Sequence, residues 1–476
     1  MKLKLPQPQD VFAKTVLLRT DYNVPLKKGA KQWQVADAQR IERSLETIGF
    51  LLKNQAKIVV ISHLGRPSGR EERFSLFPVV DELEKMIGKS VVFLDDMFDA
   101  DTHEIIKNAP AGSVFLVQNL RFYPEEKKND IEFAKKLAQL ADVYINEAFS
   151  NSHRTHASMV GVTNFLPSYA GFNLAREVEN LTKLTENPTR PFIALIGGAK
   201  ISDKVEAIEN LAHLADAVLV GGGVANNFLK AEGIEIHKSY LQDVPADLKK
   251  EGINYVKVAD ELIEQHRSEH ILKDGYIPLP KIIYPADAMA APTAVMDEDD
   301  KLLDNFGVDT NSNIPSGVRI DESSKSFTDD EINAHEQLFN NGELDTESKL
   351  FKEEIDLTHD IDDTDNDRDL MYLDIGPKTI KLYCELIANA GTIFWNGPMG
   401  VFEKPDFSVG TQAIAEAIAQ ATSRGAISIL GGGDTIAAID HFELSGNFSF
   451  VSTAGGASLE FLSGKEMPGL VAVCQK

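Results

Sequence analysis

Gly431-Gly432-Gly433-Asp434-Thr435 stands between an apolar run at 426–430 and a helix-like run at 436–439. A strand that turns through three glycines into a helix is, in outline, a phosphate site. Glycine lets the backbone approach a ligand, and the free N–H groups of a helix start favour an anion. Asp434 can hold a divalent cation, and Thr435 can cap the helix or meet a phosphate oxygen. Structural turns share this pattern, so its meaning depends on the rest of the chain.

Working back from that turn, the second half repeats the theme. Strand-like residues 192–196 run into Gly197-Gly198-Ala199-Lys200-Ile201-Ser202-Asp203-Lys204, 217–220 end in Gly221-Gly222-Gly223, and 392–395 end in Asn396-Gly397-Pro398-Met399-Gly400. A further strand reads at 281–284. Lys200 and Lys204 are four apart and share a face if a helix has begun there. Several glycine-rich turns at strand ends make a cradle for a nucleotide, although no Walker motif occurs.

The first half alternates in the same way. Strands read at 16–19, 57–61, 91–94, 113–117 and 143–145, with helices from Arg40 and at 79–87 and 131–140. This predicts a parallel sheet with helices on both faces, where ligands bind beyond the carboxyl ends of the strands. Asp21, Asn23, His63, Arg66, Asn119, Arg121 and Arg154 all fall at such ends, and Arg40 opens a helix. Four arginines in four loops suit a small carboxylate or phosphate ligand, because guanidinium groups bind oxyanions in bidentate fashion. Helix-like residues 172–184 and the Pro-containing break at 187–191 mark a boundary between two lobes.

Length and composition agree. The 476 residues allow two or more domains, and 43% hydrophobic content is ordinary for a globular protein. No run spans a membrane, residues 1–10 lack a signal-peptide core, and two cysteines, Cys384 and Cys474, imply no disulfide framework. A cytoplasmic protein without membrane association is expected. The net charge of −25 is concentrated at 297–369, with a balance of about −18, leaving about −7 elsewhere. No basic stripe points to nucleic acid.

Taken together, the motifs resemble the phosphoglycerate kinase family. They include Arg19-Thr20-Asp21-Tyr22-Asn23-Val24-Pro25, Ser62-His63-Leu64-Gly65-Arg66-Pro67, Asn119-Leu120-Arg121-Phe122 and His153-Arg154-Thr155-His156-Ala157-Ser158. The second half adds Gly197-Gly198-Ala199-Lys200, Asp374-Ile375-Gly376-Pro377-Lys378-Thr379, the 395–403 stretch from Trp395 to Glu403, the opening turn, and Ser452-Thr453-Ala454-Gly455-Gly456-Ala457-Ser458. The resemblance implies an α/β protein of two Rossmann-like parallel-sheet lobes. They would comprise an N-terminal phosphoglycerate lobe at 1–171, a hinge helix and linker at 172–190, a nucleotide lobe at 191–455, and a tail at 456–476 packing back on the first lobe.

It further implies that Asp21, Asn23, Arg40, His63, Arg66, Arg121 and Arg154 hold 3-phosphoglycerate. Gly198, Ala199, Lys204, Gly222, Gly376, Asn396, Glu403, Gly432, Gly433, Asp434 and Thr435 would hold ATP, with Mg²⁺ on Asp434. Arg40, Lys200, Lys204 and Gly433 would serve the transfer itself. The acceptor is a carboxylate, already ionised, so catalysis is positioning and charge neutralisation, and closure that excludes water is expected. The family is usually monomeric, and that state is carried over.

Two departures stand out. Where the family reads Asn-Asp-Ala-Phe-Gly-Thr, this chain has Asn146-Glu147-Ala148-Phe149-Ser150-Asn151. Glu147 is longer than Asp, and Ser150 lacks glycine's freedom at positive φ, so local loop geometry is in question. The acidic stretch 297–369 adds roughly 60 residues of a composition that suits disorder. Its Asp360–Asp369 run fails the calcium-loop pattern, because Arg368 stands where glycine is required. An alternative is therefore a catalytically impaired kinase-like scaffold whose insert binds a partner or cations. Retention of every lysine, arginine and Asp434 named above favours an enzyme.

Overall fold

Each half of the chain wraps helices around a six-stranded parallel sheet. The computed structural model describes residues 2–29, 33–242, 253–266, 280–291 and 370–475, with one isolated pair, Phe339–Asn340 with Glu343–Leu344. The expected disorder of the acidic stretch therefore lies outside the described residues. The chain forms two compact units, Met1–Thr182 with Thr453–Lys476, and Lys183–Ser452. The division falls inside the helix Phe172–Thr185.

In the first unit the strands are β1 (Thr15–Arg19), β2 (Lys57–Ile61), β3 (Val91–Leu94), β4 (Val114–Val117), β5 (Val143–Asn146) and β6 (Ser168–Ala170). Their order is β3-β4-β2-β1-β5-β6. Val16, Leu17 and Leu18, like Ile58 to Ile61, are fully buried. Burial on both faces explains why these strands read as continuous apolar runs rather than alternating ones. The chain starts near the middle, builds toward one edge, then returns to build the other. The direction reverses between β1 and β5, where an open parallel sheet places its ligand crevice.

The second unit follows the same plan with β7 (Phe192–Ile196), β8 (Ala217–Val220), β9 (Ile282–Ile283), β10 (Thr392–Asn396), β11 (Ile427–Gly431) and β12 (Phe450–Ser452). The order is β9-β8-β7-β10-β11-β12, so the reversal falls between β7 and β10. Beside this sheet, Ala288–Ala291 pairs antiparallel with Met371–Ile375, and Ala291 faces Met371. The acidic stretch thus departs from one strand and rejoins at its immediate partner.

The end of the chain completes the first unit. Gly469 N–H donates to Ser152 O at 2.8 Å, and Asn146 Nδ2 donates to Gly469 O at 3.2 Å. Lys4 N–H donates to Val473 O at 2.9 Å, and Gln475 N–H to Lys2 O at 3.0 Å. A side chain at Gly469 would meet Ser152 Cα at 2.9 Å, so this close approach needs glycine.

Candidate active site

Strand order decides which loops meet. In the first unit β4, β2, β1 and β5 are consecutive neighbours, so the loops carrying Arg121, His63 with Arg66, Asp21 with Asn23, and Arg154 leave one edge of the sheet side by side. Arg40 is the second residue of the short helix Gln39–Glu42 and pairs with Asp21 Oδ2. Ser150 Oγ donates to the same Asp21 oxygen, and Asn23 Oδ1 accepts from Gly65 N–H at 2.7 Å. Burial opposes ionisation of Asp21, but His63, Arg40 and Ser150 outweigh it and hold the carboxyl down at about 2.

Beneath this surface lies Arg19, fully buried at the end of β1. Its Nε donates to Ser158 Oγ at 3.0 Å, and Ser158 Oγ donates to the buried Glu126 Oε1 at 2.6 Å. Its Nη2 lies 3.4 Å from His63 Nδ1. A guanidinium only donates, so Nδ1 accepts and the proton of the neutral ring sits on Nε2. Burial, against the pull of Asp21, keeps His63 well below its ordinary pKa and uncharged at neutral pH. Arg121 donates to Gly65 O at 2.6 Å, while its Nε is buried without a partner among the described residues. Burial first, then Arg19 and Arg154, push the Arg121 guanidinium down to about 10. The guanidinium groups crowd one another, and an unpaired buried N–H among them calls for an anionic acceptor.

The unusual loop after β5 is not strained. Phe149–Asn151 is a 3-10 turn, and neither Ser150 nor Asn151 has positive φ, so glycine's freedom is not needed there. Glu147 is 4% exposed. Its Oε1 accepts from Thr47 Oγ1 at 2.7 Å and from Asn173 N–H at 3.2 Å, while Oε2 is sealed without a partner among the described residues. Gly171 makes room for the longer side chain, since a Cβ there would fall 1.6 Å from Oε2. Burial pushes this carboxyl up to about 8.

In the second unit the turns after β8, β7, β10 and β11 are likewise consecutive. They border an open cleft whose wall includes Gly198, Ala199, Gly222, Glu403 and Asp434. Its deeper wall follows the helix Gly222–Ala231 through Asn226 and Leu229 to Tyr240, Met371 and Tyr372. The Lys204 ammonium lies over Gly198, 3.4 Å from where a Cβ would stand. Burial lowers its pKa, opposed by Asp203 and Asp434. Asn396 is 3% exposed, and its Nδ2 is a buried donor without a partner among the described residues, 3.3 Å from the Cβ position of Gly432. Gly432 has φ 97°, which glycine tolerates, and Asp434 is exposed in the first turn of the helix Gly433–His441.

Three expectations change in detail. The segment after β7 is not helical until Val205, so Lys200 and Lys204 do not share a helix face. Gly376 is not in the cleft wall; its N–H donates to Asp287 O at 2.9 Å, and a Cβ there would meet Asp287 Cγ at 2.3 Å. Thr435 is fully buried, and its Oγ1 accepts from Gly397 N–H at 2.5 Å. Reading by sequence missed Arg19, Glu126 and Ser158. Only the charge of Arg19 at the end of an otherwise apolar run signalled its place.

Among the described residues no group of three or more His, Cys, Asp or Glu could hold a metal by itself, and no helix is long and apolar enough to cross a membrane. Comparison with known proteins gives one answer. The family model described as phosphoglycerate kinase matches residues 7–353 and 343–465. Phosphoglycerate kinase of Dictyoglomus turgidum is 40% identical over 98% of this chain and 97% of its own length. That of Thermosipho africanus is 38% identical over 98% and 96%. Among solved structures, phosphoglycerate kinase from Coxiella burnetii superposes with a TM-score of 0.70 at 33% identity, covering 97% of this chain and 96% of the other. An arginine cluster at the edge of one parallel sheet, a glycine-turn cleft on the other, and relatedness along nearly the whole length lead to one conclusion: the chain belongs to the phosphoglycerate kinase family.

Proposed function

We propose that this kinase moves a phosphoryl group reversibly between the carboxyl of 3-phosphoglycerate, held by the first unit, and ADP or ATP, held by the second. The observation that carries the substrate assignment is the buried, unpartnered Arg121 Nε in a cluster of guanidinium groups. Arg40, Arg66, Arg121 and Arg154 neutralise the phosphate and carboxylate of the substrate. His63 donates from Nε2 as a neutral group, and Asp21 and Asn23 orient the substrate and the loop after β2. The acceptor carboxylate needs no general base.

On the nucleotide side, Lys204 and Asn396 Nδ2, which has no partner among the described residues, are donors for phosphate oxygens, joined by the backbone at Gly198, Ala199, Gly222, Gly432 and Gly433, while Thr435 supports the Gly397 turn from behind. Glu403 suits the ribose hydroxyls. Lys200 is exposed and free to reach the group in transfer. Mg²⁺ fits at Asp434, whose carboxylate has no hydrogen-bond or ion-pair partner among the described residues and is exposed beside the glycine turn. One carboxylate plus nucleotide oxygens is a common magnesium arrangement. When bound, the ion supplies charge neutralisation across the phosphates. The family assignment does not favour an inactive scaffold.

A coupled assay with 3-phosphoglycerate and Mg-ATP tests the reading, with EDTA and Asp434→Ala as controls. Turnover that EDTA abolishes and Asp434→Ala lowers on the order of 100-fold is expected. Folded protein without turnover, or turnover indifferent to EDTA, would overturn it.

A further inference from the structure

The loop Asn396–Gly400 is the common support of the nucleotide turns. Its carbonyls at Asn396, Pro398 and Met399 accept from Gly197, Gly198 and Gly222 N–H at 2.9, 2.8 and 2.9 Å. The fit leaves no slack. A Cβ at Gly197 would stand 2.1 Å from Pro398 O, and one at Gly221 would stand 2.4 Å from Met399 Sδ. A shift of this loop must therefore move the turns after β7 and β8 with it.

Among the described residues two hydroxyls hold the loop: Thr435 Oγ1 accepts from Gly397 N–H, and Thr411 Oγ1 takes the next two amides. Thr411 is fully buried in the first turn of the helix Val409–Ser423, and its Oγ1 accepts from both Met399 N–H and Gly400 N–H at 3.1 Å. Thr411 is not part of the cleft wall. The Met399 residue thus links Thr411 Oγ1 through its N–H to Gly222 N–H through its C=O. The helix start is itself fixed by Asp374, 5% exposed, whose Oδ2 accepts from Gly410 N–H at 2.7 Å. Gly400 and Gly410 both press on that carboxylate, since Cβ atoms there would lie 2.2 and 2.4 Å from Oδ1.

We propose that Thr411 is a positioning residue for nucleotide binding. Its hydroxyl sets the spacing of the Gly197–Gly198 and Gly221–Gly223 turns, and so sets nucleotide affinity without touching the nucleotide. This rests on the reading of the cleft as the nucleotide site. Valine has threonine's shape but no acceptor, so Thr411→Val would leave two N–H groups unpaired in a confined space and displace the loop. A misplacement of about 1 Å at such a site costs on the order of 100-fold.

The test compares Thr411→Val and Thr411→Ser with the natural protein, measuring KM for Mg-ATP and for 3-phosphoglycerate, equilibrium binding of ADP, and thermal unfolding. Thr411→Val is expected to raise nucleotide KM and Kd roughly 10- to 100-fold while 3-phosphoglycerate KM moves less than about 2-fold. Thr411→Ser, which restores the acceptor, returns nucleotide affinity to within about 3-fold. Should Thr411→Val not fold, Thr411→Ala removes the same hydroxyl without an apolar group facing the amides, and the same split is expected. Unchanged nucleotide affinity, equal changes in both KM values, or a serine variant as weak as valine would each overturn the proposal. Lys204→Ala and Asp434→Ala serve as references. If neither weakens ADP binding, the cleft reading has failed; if both do and Thr411→Val does not, the positioning role has failed.

Discussion

Glu147 offers a direct test of how burial sets protonation in this protein. The carboxyl is sealed, only Oε1 has partners, and its pKa stands at about 8 instead of the ordinary 4.5. A raised carboxyl pKa in the folded state means that the folded form holds its proton while the unfolded form has lost it. Stability from this group is therefore full below about pH 4.5 and falls as pH rises toward about 8, then levels. At about 1.36 kcal/mol per pH unit, that span corresponds to a loss on the order of 5 kcal/mol. Glu147→Gln keeps the shape, keeps an acceptor for Thr47 and Asn173, and cannot ionise. Urea unfolding at pH 5, 6.5, 8 and 9 should give similar midpoints for both proteins at pH 5 and a growing advantage for the variant above pH 6. Asp374, raised to about 7 by burial, gives a slope of the same sign, but it is present in both proteins and cancels in the difference. Parallel curves across the whole range would refute the reasoning, because Glu147 would then be ionised in the folded state.

Four other outcomes follow from the geometry. Arg121→Met should raise KM for 3-phosphoglycerate roughly 10- to 100-fold and leave nucleotide KM within about 2-fold, since a hydrogen bond to a charged group contributes about 1.5–3 kcal/mol. Asp434→Ala should lower kcat by on the order of 100-fold and blunt the Mg²⁺ titration of activity. Gly469→Val should destabilise the first unit by about 1–3 kcal/mol in denaturant unfolding, because its Cβ has no room against Ser152. Replacing residues 293–369 by a short glycine-containing turn should preserve kcat within about 2-fold in the coupled assay. Because Ala291 and Met371 already face each other, the shorter loop should also raise stability by roughly 2 kcal/mol.

The sequence showed the site better than the scaffold behind it. Polar residues interrupting apolar strands at their carboxyl ends marked Asp21, His63, Arg121 and Asn396, because strand tips are where parallel sheets meet water. Strand order was not written in any local stretch, so the side-by-side placement of those tips came only with the fold. The short edge strands β6 and β12 were invisible, as Ser168–Ala170 and Phe450–Ser452 are too brief to show a period. The antiparallel partnership of Ala288–Ala291 with Met371–Ile375 spans too much intervening chain to be read from spacing. Thr411 gave no signal as a support, since a helix threonine looks ordinary until its neighbours are known, and Arg19 gave only its charge at the end of an apolar run. Ser150 misled for a physical reason: glycine elsewhere in the family suggested positive φ, yet the backbone here stays right-handed, and the hydroxyl gains Asp21 as partner.

The chain's last two dozen residues give the protein a temporal order as well as a shape. The first unit is sealed by Gly469 against Ser152 and by Leu3 beside Cys474, yet about 270 residues of the other unit separate its two parts. A ribosome working at about 5–20 residues per second needs roughly 15–50 s to cross that gap. During that interval the first sheet exists without its final segment, and the second unit gains its last strand, β12, only at the interval's end. The first unit, though begun earlier, therefore closes only after every strand of the second has been made.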